Sequence, residues 1–249
     1  MRKPALLAWS SALAFMLAGC GQTQDQSVST VFSQESTGIN SQGVPVSGTQ
    51  AIATFAQAFG ALQDYTAQLD TLAAQDENDD NPEQSTSNYS FKKARWLRVD
   101  IVQSNVQNQA GSTVVWKGAP QARVKVAKPI PLLGSVFTLA ITDSRLTSPR
   151  GLRLDQSDMV ATVQRLQQPG VQATVTGTDT VDGRPVTVVT ATGGWAGIDD
   201  GITQEQLSFD QQTGLLVRDI SYIGQKVVTN LTLTHLQVNV GLADSIFDL

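Results

Sequence analysis

The sequence predicts a mainly β domain with α (α+β), in which a curved antiparallel sheet is covered by an N-terminal amphipathic helix and a short second helix. Three observations lead there. Period-two alternation dominates from Ser90 to the C-terminus, tight-turn residues separate the alternating runs, and one long stretch of helical period precedes them.

The helical stretch runs from Thr49 to Gln75, where Ile52, Phe55, Phe59, Leu62, Leu69 and Leu72 recur at spacings of three, four and seven, with Gly60 as its weakest point. A helix with one apolar face has to lie against something. The alternating runs supply it: Leu97, Val99 and Ile101; Ala122, Val124 and Val126; Phe137, Leu139 and Ile141. Val171 to Thr192 reads as a hairpin around Asp182-Gly183, a pair suited to the positive φ of a tight turn, and Gln206 to Ser221 as another turning at Gln211 to Gly214. Turns this short connect antiparallel neighbours only. A second helix is expected over Asp158 to Gln167, capped by Ser157 and stopped by Pro169-Gly170, with Met159, Val160, Val163 and Leu166 as its apolar face. In the last strand Leu231 and Leu233 set one parity and Leu236, Val238 and Val240 the other, which predicts a bulge at His235-Leu236.

The start of the chain has a different character. Arg2 and Lys3 precede an apolar run from Ala5 to Ala18 that is shorter than the ~20 residues needed to span a bilayer, and Leu17-Ala18-Gly19-Cys20 resembles a lipobox. Cys20 is the one cysteine of the chain, so no intrachain disulfide can form. Residues 1–19 therefore read as a lipoprotein signal peptide, and Cys20 as the lipidation site that anchors the protein to a membrane. The Gln-, Ser-, Thr- and Gly-rich stretch that follows reads as a flexible tether, giving 20–48 for the lipidated Cys and tether and 49–249 for one folded domain. Gly21 stands where an Asp would suggest inner-membrane retention, which favours the outer membrane.

Without residues 1–19 the chain holds 15 basic against 22 acidic side chains, a formal net charge of −7, which argues against nucleic acid as a partner. Asp76, Asn78 and Asp80 match the first half of a calcium loop, but no Gly follows Asp80 and Ser87 stands where the closing Glu belongs, so a solvated loop is expected. Two catalytic signatures are lacking: there is no G-x-S-x-G and no H-E-x-x-H. His235, the one histidine, follows the Leu231 and Leu233 parity and reads as an inward core residue. Gly193 to Gly197 reads as a turn that displays or buries Trp195 rather than a phosphate loop. No metal, cofactor or enzymatic activity is expected. A curved sheet under a helix either encloses an apolar cavity, suited on a membrane-anchored protein to acyl chains, or is filled by the helix, leaving the surface to carry function.

Val181 to Val186, Phe209 to Arg218 and the closing Asn239 to Phe247 resemble the LolA-like superfamily, which takes in lipoprotein carriers, lipid-binding lipoproteins and the RseB sensor domain. The resemblance implies an unclosed antiparallel β-barrel, a half-barrel of about eleven strands around plugging helices, with an apolar cavity for the acyl chains of a lipid or lipoprotein. On that basis Phe55, Phe59, Leu97, Val99, Ile101, Phe137, Leu139 and Ile141 are expected to line the cavity, with Trp96 and Trp116 as further candidates. Ile130, Leu132 and Leu133 form either an exposed membrane-contact loop or a buried turn. The expected function is a monomeric carrier or holder of acyl chains at the cell envelope. The alternatives are an RseB-like sensor with an envelope protein partner and a hydrolase in the cleft.

Overall fold

The structure, a computed structural model, describes residues 47–131 and 134–249. The expected signal peptide, Cys20 and nearly all of the expected tether lie outside the described residues, as do Leu132, Leu133 and the side chain of Ile130.

The first element is a helix, α1 (Gly48–Ala61), whose N-cap Ser47 accepts a hydrogen bond from the Gln50 N–H at 3.1 Å. Ala51, Ile52, Phe55 and Phe59 are buried along one face, at the helical spacing read from the sequence. Gly48 lies on the sheet itself: a Cβ placed there would stand 2.2 Å from the Ala173 carbonyl carbon.

The helix is shorter than its apolar period suggested. It ends one residue after Gly60, and the chain from Asp64 on is a strand, so Leu69 and Leu72 belong to the sheet. Two interactions fix this change. Leu62 turns into the core at 3% exposure, and the Asp64 carboxylate accepts the N–H groups of Gly241 and Leu242 at 3.2 and 3.0 Å. The following residues then alternate, with Tyr65 and Ala67 buried between half-buried Thr66 and Gln68.

Eleven strands follow: β1 (Asp64–Ala73), β2 (Glu83–Lys92), β3 (Trp96–Ser104), β4 (Thr113–Lys117), β5 (Gln121–Ile130), β6 (Gly134–Ala140), β7 (Gln172–Val181), β8 (Arg184–Thr192), β9 (Gln204–Asp210), β10 (Leu216–Ile223) and β11 (Lys226–Val238). They form one antiparallel sheet in the order β6-β5-β4-β3-β2-β1-β11-β10-β9-β8-β7. Two meanders are joined where β1 pairs with β11, and the sheet stays open because its edges, β6 and β7, are not paired with each other. Residues 141–171 connect those two edges, so the connection has to cross the opening. It carries the second helix, α2 (Met159–Leu166).

The α2 cap is one residue later than expected. Asp158, not Ser157, accepts the Ala161 N–H at 2.8 Å, because its carboxylate is already held in place by Arg95. Both expected hairpins are present, with Asp182 and Gly183 at φ +50° and +73° in the β7–β8 turn and Gly214 at +73° in the β9–β10 turn. The register of β1 against β11 slips between Thr66 and Gln68, opposite the predicted bulge, and His235 sits there at φ +53°. His235 is exposed rather than inward, since the bulge that changes the parity turns it out. Its N–H donates to Asp182 Oδ2 at 2.6 Å.

Phe247 covers the face opposite that of Leu97 by packing edge-on against Trp96, with ring centroids 5.6 Å apart. Among the described residues no helix is long and apolar enough to cross a membrane.

Candidate functional site

Antiparallel register aligns side chains of one parity into rows that run across strands. On the face toward the helices, the first row runs Tyr65, Phe91, Leu97, Trp116, Ala122 and Leu139; the second runs Ala67, Tyr89, Val99, Val114, Val124 and Phe137. The first row is closed over as far as Ala122: Tyr65, Phe91, Leu97, Trp116 and Ala122 are all buried, and only Leu139, at the sheet edge, is half-exposed. In the second row Val99, Val114 and Phe137 remain half-exposed, and Ile101 continues the same face one step along β3. The result is an apolar trough on β3 to β6, beside the helices.

The sequence-predicted residues divide accordingly. Val99, Ile101, Phe137 and Leu139 share the trough, and Ile141 packs against the core just past the end of β6. Leu97 is on the same face but buried. Phe55 and Phe59 lie in the core: Phe55 is 5.4 Å from Phe209 and Phe59 is 5.5 Å from Phe91, ring centroid to centroid. Trp116 belongs to this face, where its Nε1–H donates to the Ala119 carbonyl at 2.5 Å, whereas Trp96 points to the other face. Pro129 and Pro131, both part of the predicted contact loop, are exposed.

Two polar hollows of about 440 and 430 Å³ lie elsewhere, one at the acidic loop with Asp76, Asp80 and Lys226, the other around Asp70, Ser85 and Asn105. Neither includes a residue of the trough. The acidic loop is exposed and folds on itself, with Asp76 and Asp79 accepting backbone N–H groups two residues on. Among the described residues no three His, Cys, Asp or Glu side chains are grouped to hold a metal ion.

α2 packs against α1 and is pinned at both ends by charge. At its N-terminus Asp158, itself 1% exposed, forms a two-point pair with Arg95 of the β2–β3 turn, at 2.6 and 2.8 Å. At its C-terminal end Arg165 reaches the inner face of the other meander, where it pairs with Glu205 of β9 and lies 3.4 Å from Asp219 of β10. The Trp195 ring covers the guanidinium at 3.9 Å, and Gly194 leaves room for it: a Cβ there would meet Arg165 Nη1 at 3.4 Å. The Gly193 to Gly197 turn therefore buries its Trp. Burial, then the neighbouring Glu205, push the Asp219 carboxyl well above the ordinary carboxylate range, and Arg165 opposes them only in part. Tyr65 and Tyr89 stack at 5.7 Å, and burial first of all raises both phenols.

This ionic cluster was missed in the sequence, although one signal was present. Glu205 shares the parity of Leu207 and Phe209, so an acid stands on the inward face of a strand. Nothing in the helical spacing of α2 pointed to Arg165 as its partner.

Fold and site together define an unclosed antiparallel half-barrel with a helix strapped across its mouth and an apolar trough beside it. No family model matches the sequence, and no curated protein matches it. Similar solved structures include the lipoprotein LppX of Mycobacterium tuberculosis, at 15% identity and a TM-score of 0.49 over 78% of this chain and 95% of that one. Others are a LolA superfamily protein from Nitrosomonas europaea, at 11% identity and 0.38 over 82% and 98%, and the MucA/MucB complex of Pseudomonas aeruginosa, at 15% and 0.43 over 81% and 60%.

Proposed function

We propose that this protein is a non-enzymatic lipoprotein of the cell envelope, anchored through lipid on Cys20, whose trough holds acyl chains of a lipid or lipoprotein for transport or insertion. The single observation that carries this reading is the continuous apolar surface left half-exposed on the inner face of β3 to β6, formed by Val99, Ile101, Val114, Phe137 and Leu139. Covering apolar surface of this kind with an alkyl chain contributes about 25 cal/mol per Å² removed from water. An open edge at β6 lets a long chain enter without threading.

The test is native mass spectrometry with lipid extraction on the mature protein purified from its own host's membranes. A non-covalent lipid in the wild type that is lost in a folded Leu139→Arg variant supports the reading. Loading that survives Leu139→Arg removes the trough as the site. A protein that stays empty when offered lipid, and co-purifies with an envelope protein instead, moves the function to the sensor class.

A further inference from the structure

The buried cluster under α2 leaves three polar atoms without a hydrogen-bond partner: Trp195 Nε1, Glu205 Oε1 and Asp219 Oδ1. Glu205 is 1% exposed and Asp219 7%, so neither carboxylate is compensated by solvent. An orphaned buried acceptor is costly, and two orphaned carboxylate oxygens in one site are costlier because their charges repel. Neither the hollow at the acidic loop nor the one around Asp70 is lined by Arg165, Trp195, Glu205 or Asp219. A proton needs no cavity, and one proton between the two carboxyls gives each orphaned oxygen a partner.

We propose that Asp219 carries a proton that it donates to Glu205 Oε1, and that this shared proton latches the Arg165 end of α2 onto the sheet, so that losing it releases the strap. With the proton in place Arg165 faces one net negative charge and the cluster is neutral. Without it, one uncompensated negative charge is buried. The charged groups acting on Asp219 are Glu205 from β9 and Arg165 from α2. Across the sheet it is flanked by Leu207 of β9 and Leu231 of β11, which stabilise no charge.

The direction in pH follows from linkage. A carboxyl held above its unfolded value contributes fully in acid, and that contribution is lost as pH rises through its folded value. The latch is therefore tightest in acid and loosens toward alkaline pH, while the Arg95–Asp158 pin stays in place. The strap would then swing from its Arg165 end, uncovering the inner face of β9 and β10. This holds whatever the trough binds, because it depends on the position of α2 alone.

The test is hydrogen exchange of the α2 amides (Met159–Leu166) in the full mature chain at about pH 5 and about pH 9, corrected for intrinsic exchange. The wild type should lose up to about tenfold in protection per pH unit as the pH rises from the unfolded to the folded value of Asp219, and level off above it. Asp219→Asn, which keeps a donor toward Glu205 and has no proton to lose, should show flat protection. Equal wild-type protection at both pH values, or an unchanged fall in Asp219→Asn, overturns the proposal. If that variant fails to fold, infrared spectroscopy of the wild type decides: a buried protonated-carboxyl band that disappears on alkalinisation supports the latch, and its absence in acid refutes it. A wild type that takes up no lipid yet keeps the pH response would count against the trough and leave the latch standing.

Discussion

Asp158 does two jobs with one carboxylate: it caps α2 through the Ala161 N–H at 2.8 Å and holds Arg95 of the β2–β3 turn at 2.6 Å. The cap residue thus ties the strap to a meander far from it in sequence. Asp158→Ala should destabilise the protein by about 3 kcal/mol or more, because it strips a cap and leaves the Arg95 guanidinium partly buried without its partner. Chemical denaturation of both proteins measures this, and a difference below about 1 kcal/mol would mean the pair is solvated and contributes little.

Gly48 is required by close approach. Its added Cβ would stand 2.2 Å from Ala173 C and 2.5 Å from Thr174 N, both backbone atoms that cannot rotate away. Gly48→Val should force α1 off β7 and cost about 1 to 3 kcal/mol, as overpacking does. Gly60→Ala is the control, since nothing lies within 4 Å of a Cβ there. It should leave stability unchanged or raise it by up to about 1 kcal/mol through helix propensity.

The stacked phenols of Tyr65 and Tyr89 predict the alkaline limit. Burial raises both above their ordinary value, so their contribution is constant below about pH 10 and is lost as pH rises through the folded values. Absorbance titration should show two of the three tyrosines ionising only with unfolding. Tyr65→Phe should delay that unfolding to higher pH.

The parity of β6 separates the trough from the outer face. Phe137 pairs with Val124 on the inner face, while Val136, 37% exposed, points outward opposite Lys125. Phe137→Arg should abolish acyl-chain loading in a protein that still folds, and Val136→Arg one residue away should leave it intact. Fluorescent fatty-acid displacement compares them, and equal losses in both would show that edge disruption, not the trough, is being read.

Much of the sheet was legible because its signal is local and repeats every two residues. The alternation of Leu97, Val99 and Ile101 and of Phe137 and Leu139 assigned faces correctly, and the parity change at His235 located the bulge. The β1 strand was misread because Leu62, Leu69 and Leu72 also satisfy a helical spacing. In Asp64 to Ala73 the aromatic and β-branched positions compete with that pattern, and the tie is broken by the distant N–H groups of Gly241 and Leu242. His235 was placed inward for a related reason: parity extrapolates along a strand only up to the bulge.

What the sequence determined by itself is whatever neighbours along the chain enforce: strand faces, turn positions and the α1 face around Phe55 and Phe59. The tertiary structure alone decided where α1 stops, that Asp158 rather than Ser157 caps α2, and that Arg165 turns inward to two acids on strands 40 and 54 residues away. Such pairings have no period. They arise because a connection between two unpaired sheet edges must cross the open face, and a charge carried there is stable only where opposite charge meets it.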